Sequence, residues 1–472
     1  MNWFTKREDT IAALATPAGA GAIGVIRVSG SNALAVCQPL FRKPLSEIPS
    51  QKASLLKLYD PENGLLDEVL LLIFREPHSY TRETVVEISC HGSSYILQRV
   101  LECLFDAGAR AAEPGEFTMR AYLNGAMDLS QAEAVADLIA ARSRSAQQLA
   151  LSQLKGGYSK TLKQLRDQLL EFAALTELEL DFSEEDVEFA DRSQILELCN
   201  RIFFTLDTMI RGFSSGNALK TGIATVIAGK PNAGKSTILN ALLQENKAIV
   251  SHIPGTTRDV IEDHLFAGGY EFRLMDTAGL RIAENVIEAE GIRRSLERLE
   301  TAEILLYVYD QQTETLPAVI QAVEALNIPG EPAIFLIANK QETDSEAALT
   351  NISQRLQQDI TELSQPDWNL LATKAIDGYG IQTLQQELVR IAAEGFAWHS
   401  GDLLVSNRRH AEALLAARHC ITEVVQGIQQ KISGELISLD LRMAIYHIGS
   451  ITGEISPDEV LGAIFSRFCI GK

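Results

Sequence analysis

The sequence feature that most constrains the fold is the octapeptide GKPNAGKS, which spans residues 229–236. It follows an apolar, strand-like run, TGIATVIA, and the helical run TILNALL comes after it. In this strand–loop–helix setting, the glycines let the loop curl so that its backbone N–H groups point at phosphate oxygens. Lys235 then reaches the β- and γ-phosphates, and the Ser236 hydroxyl ligates Mg²⁺. The predicted contacts of this phosphate loop are Asn232, Ala233, Gly234, Lys235, Ser236 and Thr237.

Two segments downstream of the loop are typical of a sensor of the γ-phosphate. The segment DTAG, residues 276–279, closes the strand YEFRLMD, so that Asp276 can hold the hydration shell of Mg²⁺ and Gly279 can follow the γ-phosphate. The segment PGTTRD lies between the phosphate loop and DTAG, where a switch is required. The predicted contacts of these segments are Thr256, Thr257, Asp276, Thr277, Ala278 and Gly279.

The base-reading segment departs from the usual pattern at one position. A guanine-reading motif NKxD belongs after the buried strand PAIFLIA, and the chain has NKQE there, at residues 339–342. Glu342 keeps the carboxylate on a longer side chain, and Asp344 is an alternative, so the residue that reads guanine stays open. The predicted base contacts are Asn339, Lys340, Glu342, Ala372, Thr373 and Lys374. Together with the phosphate loop and the switch, they predict a GTPase.

A second departure concerns the attacking water. The residue after DTAG is Leu280, where a Ras-like enzyme has a glutamine that orients the water. Hydrolysis therefore needs another group in that role. Glu288 and Glu290 are candidates in the same switch-like segment, and the alternative for each is an acid on a solvated helix.

The positions of the prolines and the spacing of apolar residues divide the chain into predicted domains. Residues 1–114 contain seven prolines and alternating segments such as IGVIRVSG, which predict an α+β domain. No proline occurs between Pro114 and Pro231, where apolar residues recur at helical spacing, and strand-like and helical runs alternate after that interval. We predict a multidomain protein with an N-terminal α+β domain (1–125), an all-α helical domain in two parts (126–217 and 395–472) and an inserted Ras-like α/β P-loop GTPase domain (218–394).

The charge balance argues against a protein that coats nucleic acid or anionic membranes through a general positive field. Lys and Arg number 42 against 62 Asp and Glu, a formal charge of −20, so RNA would have to be gripped by a local patch. Six cysteines without close spacing fit a reducing compartment. No run of about 18 apolar residues occurs, and the first apolar stretch is broken by Pro17, unlike a signal peptide. We expect a cytoplasmic protein without a membrane partner.

Several segments together resemble one family. They are DTIAALATPAGAGAIGVIRVSG near the start, PGEFTMRAYLNGAMDLSQAEAVADLI at the predicted domain junction, GKPNAGKS with PGTTRD and DTAGLR, and the terminal FCIGK. Many GTPases share a phosphate loop, whereas the N-terminal block, the junction and the CIGK end are family-specific. Over essentially its whole length, the chain is similar to the MnmE (TrmE) family of tRNA-modification GTPases.

The resemblance implies a homodimer formed through the N-terminal domain, which binds 5-formyl- or methylene-tetrahydrofolate as a one-carbon donor. It also implies an FAD-dependent partner subunit, in a heterotetramer that adds an aminomethyl-type group at C5 of the wobble uridine in certain tRNAs. GTP hydrolysis with Mg²⁺ would draw the GTPase domains together, and K⁺ would supply charge that an arginine finger supplies elsewhere.

Matching positions carry over the family's GTPase residues. The resemblance implies that K⁺ is bound by Asn232, Ser251, Ile253 and Thr256, and Mg²⁺ by Ser236 and Thr257. Glu288 would orient the attacking water in place of a glutamine. Nucleotide contacts are also implied along SHIPGTT, which consists of Ser251, His252, Ile253, Pro254, Gly255, Thr256 and Thr257. The implied catalytic residues are Lys235, Thr256, Glu288 and Cys469.

In the N-terminal domain, Arg27 and Glu87 match the family's folate contacts, and so does the terminal Lys472. An acidic and a basic side chain together suit a ligand that has a pterin ring and a glutamate tail. The alternative is that Arg27 and Glu87 form an ordinary ion pair at a strand edge. Cys469 lies in the CIGK end and is a candidate reactive thiol, although a lone cysteine more often only packs.

Two other classes of function compete with this one. A pure GTP switch, such as a ribosome-assembly GTPase, would be expected to carry a basic RNA-binding appendage, and no basic stretch stands out. An interaction scaffold with a vestigial GTPase would not need the intact Lys235, Ser236 and Asp276. The sequence therefore favours an enzyme.

Two basic residues that are common in the family are absent from this chain. Ala20 stands where PPGRG has its arginine, and Ala126 stands where LNGKLDL has its lysine. Because each charge-assisted hydrogen bond contributes about 1–3 kcal/mol, we expect weaker binding of reduced folate than is typical of the family. Titration of the purified protein with the reduced folate measures this, and tight binding would contradict the expectation.

Overall fold

The computed structural model describes residues 9–17, 19–181, 192–244, 263–276, 298–363, 367–396, 403–455, 458–466 and 468–471. The chain forms two compact units. The first unit consists of Met1–Ile139, Gln153–Phe203 and Ala416–Lys472, and the second of Ala140–Ser152 and Phe204–Leu415. The predicted multidomain fold class is confirmed, whereas the predicted boundaries after residues 125, 217 and 394 stay predictions. Within the described ranges, no helix is both long enough and apolar enough to cross a membrane.

The described secondary structure contains two sheets and a larger number of helices. The strands are β1 Ile11–Leu14, β2 Ile23–Ser29, β3 Ser54–Asp60, β4 Gly64–Phe74, β5 Val85–His91, β6 Arg110–Ala111, β7 Ile223–Ala228, β8 Asp263–Ala267, β9 Tyr270–Asp276, β10 Ile304–Asp310, β11 Ala333–Asn339 and β12 Asn369–Ala372. The helices are α1 Ala33–Cys37, α2 Ser94–Asp106, α3 Glu116–Leu123, α4 Leu129–Ala140, α5 Arg144–Leu154, α6 Ser159–Asp181, α7 Arg192–Arg211, α8 Phe213–Thr221, α9 Lys235–Gln244, α10 Leu316–Glu324, α11 Glu346–Glu362, α12 Ile381–Gly395, α13 Arg408–Gln429, α14 Gly434–Thr452 and α15 Asp458–Phe465.

The first unit contains a six-stranded sheet in the order β3-β4-β5-β2-β1-β6. Its neighbouring strands are antiparallel, except that β1 and β6 are parallel. One face packs against α1 and α2, and alternate strand residues such as Ile26, Leu71 and Ile88 are fully buried there. The opposite face keeps Leu55 and Leu70 more than 45% exposed, directly opposite each other on β3 and β4. Near β1 this second face is covered by a small core of Ile11, Ala13, Ala112 and Phe117, whereas its part on β3 and β4 is exposed.

A cluster of buried ions joins the start of the chain to α3. Arg120 is 5% exposed, and its Nη2 contacts Asp9 at 2.5 Å and Glu116 at 3.1 Å. Arg110 contacts the same two carboxylates at 2.7 and 2.6 Å. Burial alone would raise the pKa of Glu116, but hydrogen bonds from Arg110 and the Glu113 N–H, with the guanidinium charges, lower it overall. The charged carboxylate therefore stabilises the fold above its usual pKa of 4.5, and this contribution is lost as the pH falls through the lowered value.

Helices form the rest of the first unit. Along α6, Leu162, Leu165 and Leu169 are buried, in agreement with their predicted helical spacing, and α6 packs along α14. Phe465 and Phe468, near the C-terminus, pack in a smaller core that includes residues of α3 and α4. The C-terminal segment is therefore held against the N-terminal part of the chain.

The second unit contains a sheet in the order β12-β11-β10-β7-β9-β8, parallel except for β8. Residues of α9 and α12 belong to the core on one face, and residues of α10 and α11 to the core on the other. The sequence analysis missed β8, because only Leu265 of its five residues is fully buried. A two-residue turn joins β8 to β9 through Gly268 and Gly269, whose φ values of 59° and 89° suit glycine.

We expect Glu116→Gln to lower the free energy of unfolding by roughly 1–3 kcal/mol, since it removes the charge of a 3% exposed carboxylate that contacts both Arg110 and Arg120 and leaves Asp9 as the carboxylate that the two guanidinium groups share. A thermal melt followed by circular dichroism would report this as a lower Tm. Glu102→Gln is the matched control, because Glu102 pairs with Arg99 but is 44% exposed and should matter little. Equal Tm values for the two variants would contradict the importance of the buried cluster.

Candidate functional site

The phosphate loop connects β7 to α9 at the carboxyl end of the second sheet. Gly229 and Gly234 have φ values of 139° and 101°, and Asn232 is left-handed at 64°. A Cβ at Gly229 would overlap the Val308 carbonyl, and a Cβ at Gly234 would overlap the amide of Asn339. Glycine is therefore required at both positions, both for backbone conformation and for space.

Lys235 is the first residue of α9, and its side chain turns back over the loop. Nζ donates hydrogen bonds to the carbonyl oxygens of Gly229 at 2.8 Å and Lys230 at 2.9 Å. Burial lowers the pKa of Lys235, and the carboxylate of Asp276 opposes that shift. The Lys235 ammonium group and the backbone N–H groups at the start of α9 thus lie beside the same loop, and together they are suited to binding phosphate.

Asp276 and Ser236 fit a magnesium ion. Ser236, the second residue of α9, donates a hydrogen bond from Oγ to Oδ2 of Asp276, the last residue of β9, at 3.5 Å. Oδ1 of Asp276 is buried and finds no hydrogen-bond partner in the part of the chain that the structure describes. Burial raises the pKa of this carboxyl group, and Lys235 opposes the rise. Mg²⁺ and its bound water bind to oxygen atoms, and a carboxylate oxygen without a partner beside a hydroxyl group offers such atoms.

Asn339, at the end of β11, links three loops through a side chain that is 3% exposed. Its Nδ2 donates to the Ala233 carbonyl in the phosphate loop at 3.0 Å. Its Oδ1 accepts from the Thr373 hydroxyl at 3.1 Å and from the Ala375 N–H at 3.2 Å, both after β12. Asn339 therefore positions the predicted base-reading segments relative to the phosphate loop.

Lys340 follows Asn339 in a left-handed conformation, with a φ of 61°. Its Nζ contacts Asp310 Oδ2 at 2.7 Å, at the end of β10. The hydrogen bond from Lys340 lowers the pKa of Asp310, which keeps this carboxylate charged. The lysine is thus held at the same edge of the sheet as the phosphate loop.

The two candidate guanine-reading carboxylates differ in their partners. Asp344 forms an ion pair with Lys374, which also contacts Asp377 at 2.7 Å. Glu342 is exposed, and its Oε1 accepts a hydrogen bond from Gln312 at 3.3 Å. Because a carboxylate paired with lysine is less free to accept two N–H groups from a base, the geometry favours Glu342.

The structure places some of the predicted nucleotide residues, and others lie outside the described residues. Asn232, Ala233 and Gly234 form the loop, Thr237 lies in the first turn of α9, and Ala372 ends β12. The predicted residues outside the described ranges are Ser251, His252, Ile253, Pro254, Gly255, Thr256, Thr257, Thr277, Ala278, Gly279, Glu288, Glu290 and Lys472.

Arg27 and Glu87 lie opposite each other on β2 and β5 in the first unit. Arg27 Nε and Nη2 contact Glu87 Oε1 at 2.9 and 2.8 Å. The guanidinium carbon lies 5.5 Å from the centre of the Tyr80 ring and 5.6 Å from that of Phe117. Arg27 Nη1 also donates to the Gly471 carbonyl at 3.3 Å. The structure thus brings the predicted folate pair together with the C-terminal segment.

Cys469 is exposed in this C-terminal segment. Its carbonyl accepts a hydrogen bond from the Gly115 N–H at 3.4 Å. Two residues later, a Cβ at Gly471 would overlap the Leu14 carbonyl, so the backbone passes close to the end of β1. The backbone of the segment is therefore fixed beside the N-terminal sheet while the thiol stays accessible.

Two contacts behind the nucleotide site escaped the sequence analysis. Glu314, whose side chain is 6% exposed, pairs with Lys230 of the phosphate loop at 2.8 Å. Arg298 donates to the backbone carbonyl of Asp276 at 2.6 Å. Glu314 lies in the loop QQTETLP, and it belongs to no motif that the sequence analysis used. The one signal for this ion pair was the charged residue Lys230 at a position that the pattern GxxxxGKS leaves unspecified.

The parallel sheet, the phosphate loop that ends at Lys235, and the base-reading segments joined by Asn339 define the class of the second unit, which is a P-loop GTPase. Residues 129–469 match the family described as the MnmE helical domain, and residues 10–126 match the GTP-binding protein TrmE N-terminus. The chain belongs to the MnmE family.

Curated relatives agree with this assignment along the whole chain. The tRNA modification GTPase MnmE of Cytophaga hutchinsonii is 46% identical over 469 residues, which are 99% of each chain. The protein of the same name from Flavobacterium johnsoniae is 45% identical over 472 residues, 98% of this chain and 99% of that one. The MnmE of Porphyromonas gingivalis is 46% identical over 471 residues, 98% of each chain.

We expect Asn339→Ala to weaken GDP binding at least tenfold, because it removes hydrogen bonds to buried groups of Ala233, Thr373 and Ala375, each worth roughly 1–3 kcal/mol when its partner is left unsatisfied. Fluorescence titration with N-methylanthraniloyl-GDP measures the affinity. Asn351→Ala, an exposed change on α11, is the matched control and should bind as the native protein does. Native-like affinity of Asn339→Ala would contradict the linking role.

Proposed function

We propose that this protein is a K⁺-activated GTPase that takes part in modifying C5 of the wobble uridine in certain tRNAs, in the cytoplasm. The observation that carries the proposal is the phosphate loop, in which Lys235 lies over the loop carbonyls and Ser236 faces Asp276. The names and the full-length similarity of the relatives support the tRNA substrate. The reaction is the hydrolysis of GTP to GDP and phosphate.

The described residues have distinct tasks in GTP hydrolysis. Lys235 and the N–H groups of the loop bind the β- and γ-phosphates, since their charge and orientation suit anionic oxygens. Ser236, with Thr257 from outside the described residues, would hold Mg²⁺, and the carboxylate of Asp276, whose Oδ1 finds no hydrogen-bond partner among the described residues, would hold water bound to the ion. When bound, Mg²⁺ neutralises charge that develops on the phosphate oxygens. Glu342 reads the N–H groups of guanine.

Activation by K⁺ would depend on Asn232. Its side chain is exposed, and its left-handed backbone places it at the turn of the phosphate loop. With Ser251, Ile253 and Thr256, it would supply oxygen donors, and the bound cation would supply positive charge near the phosphates. Glu288 would orient the attacking water, because the residue after DTAG is a leucine without a polar group.

The first unit would bind 5-formyl- or methylene-tetrahydrofolate at Arg27 and Glu87, with Lys472. The ion pair offers both an acid and a base, and two aromatic rings lie within 6 Å of the Arg27 guanidinium. The exposed Cys469 belongs to the same C-terminal segment. Together with an FAD-dependent partner subunit, in a heterotetramer, this site would deliver the one-carbon unit of an aminomethyl-type group, for example carboxymethylaminomethyl, to the tRNA.

The exposed part of the second face of the N-terminal sheet, on β2, β3 and β4, supports a homodimer formed through this domain. Leu55 and Leu70 are 63% and 46% exposed, and Ile23 and Leu65 are 65% and 60% exposed. Exposed apolar residues that cluster on one sheet face are typical of an interaction surface. A second copy of the same domain is the occupant that we propose.

The experiment that tests the proposed function is GTP hydrolysis in potassium buffer and in sodium buffer of equal ionic strength. We expect at least tenfold faster turnover in potassium, and loss of that difference in Asn232→Ala, because the variant lacks the amide oxygen that would bind the cation. GDP affinity should stay native-like in the variant, which separates cation binding from nucleotide binding. Equal, slow rates in both salts would favour a simple GTP switch.

We expect Leu55→Asp with Leu70→Asp to dissociate the N-terminal dimer, since two carboxylates would be buried in an apolar contact. Sedimentation equilibrium of the full chain at micromolar concentration measures the mass. Leu363→Asp is the matched control, because Leu363 is 44% exposed in the second unit. A dimer that withstands the double change would show that this face is not the contact.

A further inference from the structure

The loop of residues 311–315 joins β10 to α10 and contacts the base-reading segment. The Asp310 carbonyl oxygen accepts a hydrogen bond from the Glu314 N–H at 2.9 Å, and Asp310 Oδ1 accepts one from the Gln312 N–H at 3.0 Å. The other carboxylate oxygen of Asp310 contacts Lys340 Nζ at 2.7 Å. One aspartate therefore fixes both the backbone of this loop and the lysine of the base-reading segment.

A second anchor holds the end of the same loop. The carboxylate of Glu314 is 6% exposed and pairs with Lys230 of the phosphate loop at 2.8 Å. The backbone carbonyl of Lys230 in turn accepts a hydrogen bond from Lys235 Nζ at 2.9 Å. The loop is thus attached to the phosphate loop at one point and to the base-reading segment at another, so the backbone of Gln312 between them has a fixed position.

The side chain of Gln312 reaches the candidate guanine-reading carboxylate. Its Nε2 donates to Glu342 Oε1 at 3.3 Å and to the Lys340 carbonyl at 3.4 Å. An amide nitrogen carries two N–H groups, so both hydrogen bonds can form together. A carboxylate has about four acceptor positions. Glu342 can therefore accept from Gln312 and still accept two N–H groups from a base.

Glu342 needs such a contact more than an aspartate would. The chain has NKQE where the usual motif is NKxD, so its carboxylate lies at the end of a side chain with one more rotatable bond. The freedom of that bond is lost when the carboxylate binds the base, and this loss opposes binding. A hydrogen bond that already orients the side chain in the free protein reduces the loss.

We propose that Gln312 is a positioning residue for guanine recognition, which holds the Glu342 carboxylate in the orientation that accepts both N–H groups of the base. This inference rests on the proposed reading of guanine by Glu342. Gln312 acts through Glu342 and does not itself contact the base. Hypoxanthine lacks the 2-amino group of guanine and offers the carboxylate one N–H group only, so the orientation matters more for GDP than for IDP.

The test measures the affinities of the full chain for GDP and for IDP, by competition with N-methylanthraniloyl-GDP. We expect Gln312→Ala to weaken GDP binding roughly three- to tenfold and IDP binding less, so that the preference for GDP falls. A general loosening of the site would weaken both nucleotides alike. Gln358→Ala, an exposed glutamine on α11, is the matched control and should keep the native preference. Both variants should keep the native melting profile.

Two variants of Glu342 separate this inference from the proposed function. Glu342→Asp draws the carboxylate back by one methylene, out of hydrogen-bond distance of Gln312 Nε2. In that background, Gln312→Ala should leave the preference for GDP unchanged. Glu342→Ala should abolish the preference, which tests the reading of guanine independently of Gln312.

The outcomes that contradict the inference are distinct. A native preference in Gln312→Ala, together with a lost preference in Glu342→Ala, would overturn the role of Gln312 and leave the proposed function intact. An equal effect of Gln312→Ala with and without Glu342→Asp would also overturn that role, because Gln312 would then not act through the longer carboxylate. A native preference in Glu342→Ala would overturn both the reading of guanine by Glu342 and the inference that rests on it.

Discussion

The close approach of the phosphate loop to the ends of β10 and β11 is the constraint on which the nucleotide site depends. Gly229 lies against the Val308 carbonyl, and Gly234 lies against the Asn339 side chain, so neither position has room for a Cβ. This approach lets one buried amide hold the phosphate loop and the segment after β12 together. The phosphate loop and the predicted base-reading segments are therefore held by the same packing, and we expect a change in one loop to alter the geometry of the other.

The structure of the first unit depends on the packing of the C-terminal segment against the N-terminal sheet and α3. The ion cluster of Arg110, Arg120 and Glu116 holds β6 and α3 in place, and Phe465 and Phe468 pack beside α3. The last described residues then lie close enough to β2 for Gly471 to accept a hydrogen bond from Arg27. The proposed folate site, which combines β2 and β5 with the C-terminal segment, would form only when these structural contacts are in place, so its function would depend on the stability of this unit.

An exposed apolar surface occurs on the N-terminal sheet of a protein whose formal charge is −20. General repulsion between copies opposes association, so a contact between copies needs local complementarity. The exposed part of the sheet face offers paired leucines on β3 and β4. This surface belongs to the first unit, whereas the GTPase chemistry belongs to the second. The proposed association of copies and the hydrolysis of GTP would thus have separate structural bases in one chain.

The sequence by itself determined the fold class, the phosphate loop, the order of the base-reading segments and the family, because these depend on local spacing and on residue types that the chemistry demands. Only the tertiary structure showed that Asn339 links the loops, that Asp344 is paired with Lys374 while Glu342 is not, and that Arg27 meets Gly471. These contacts join residues that are far apart in the chain, and spacing carries no information about them. The β8 strand was missed for a related reason, since its pairing with β9, not its own pattern, makes it a strand.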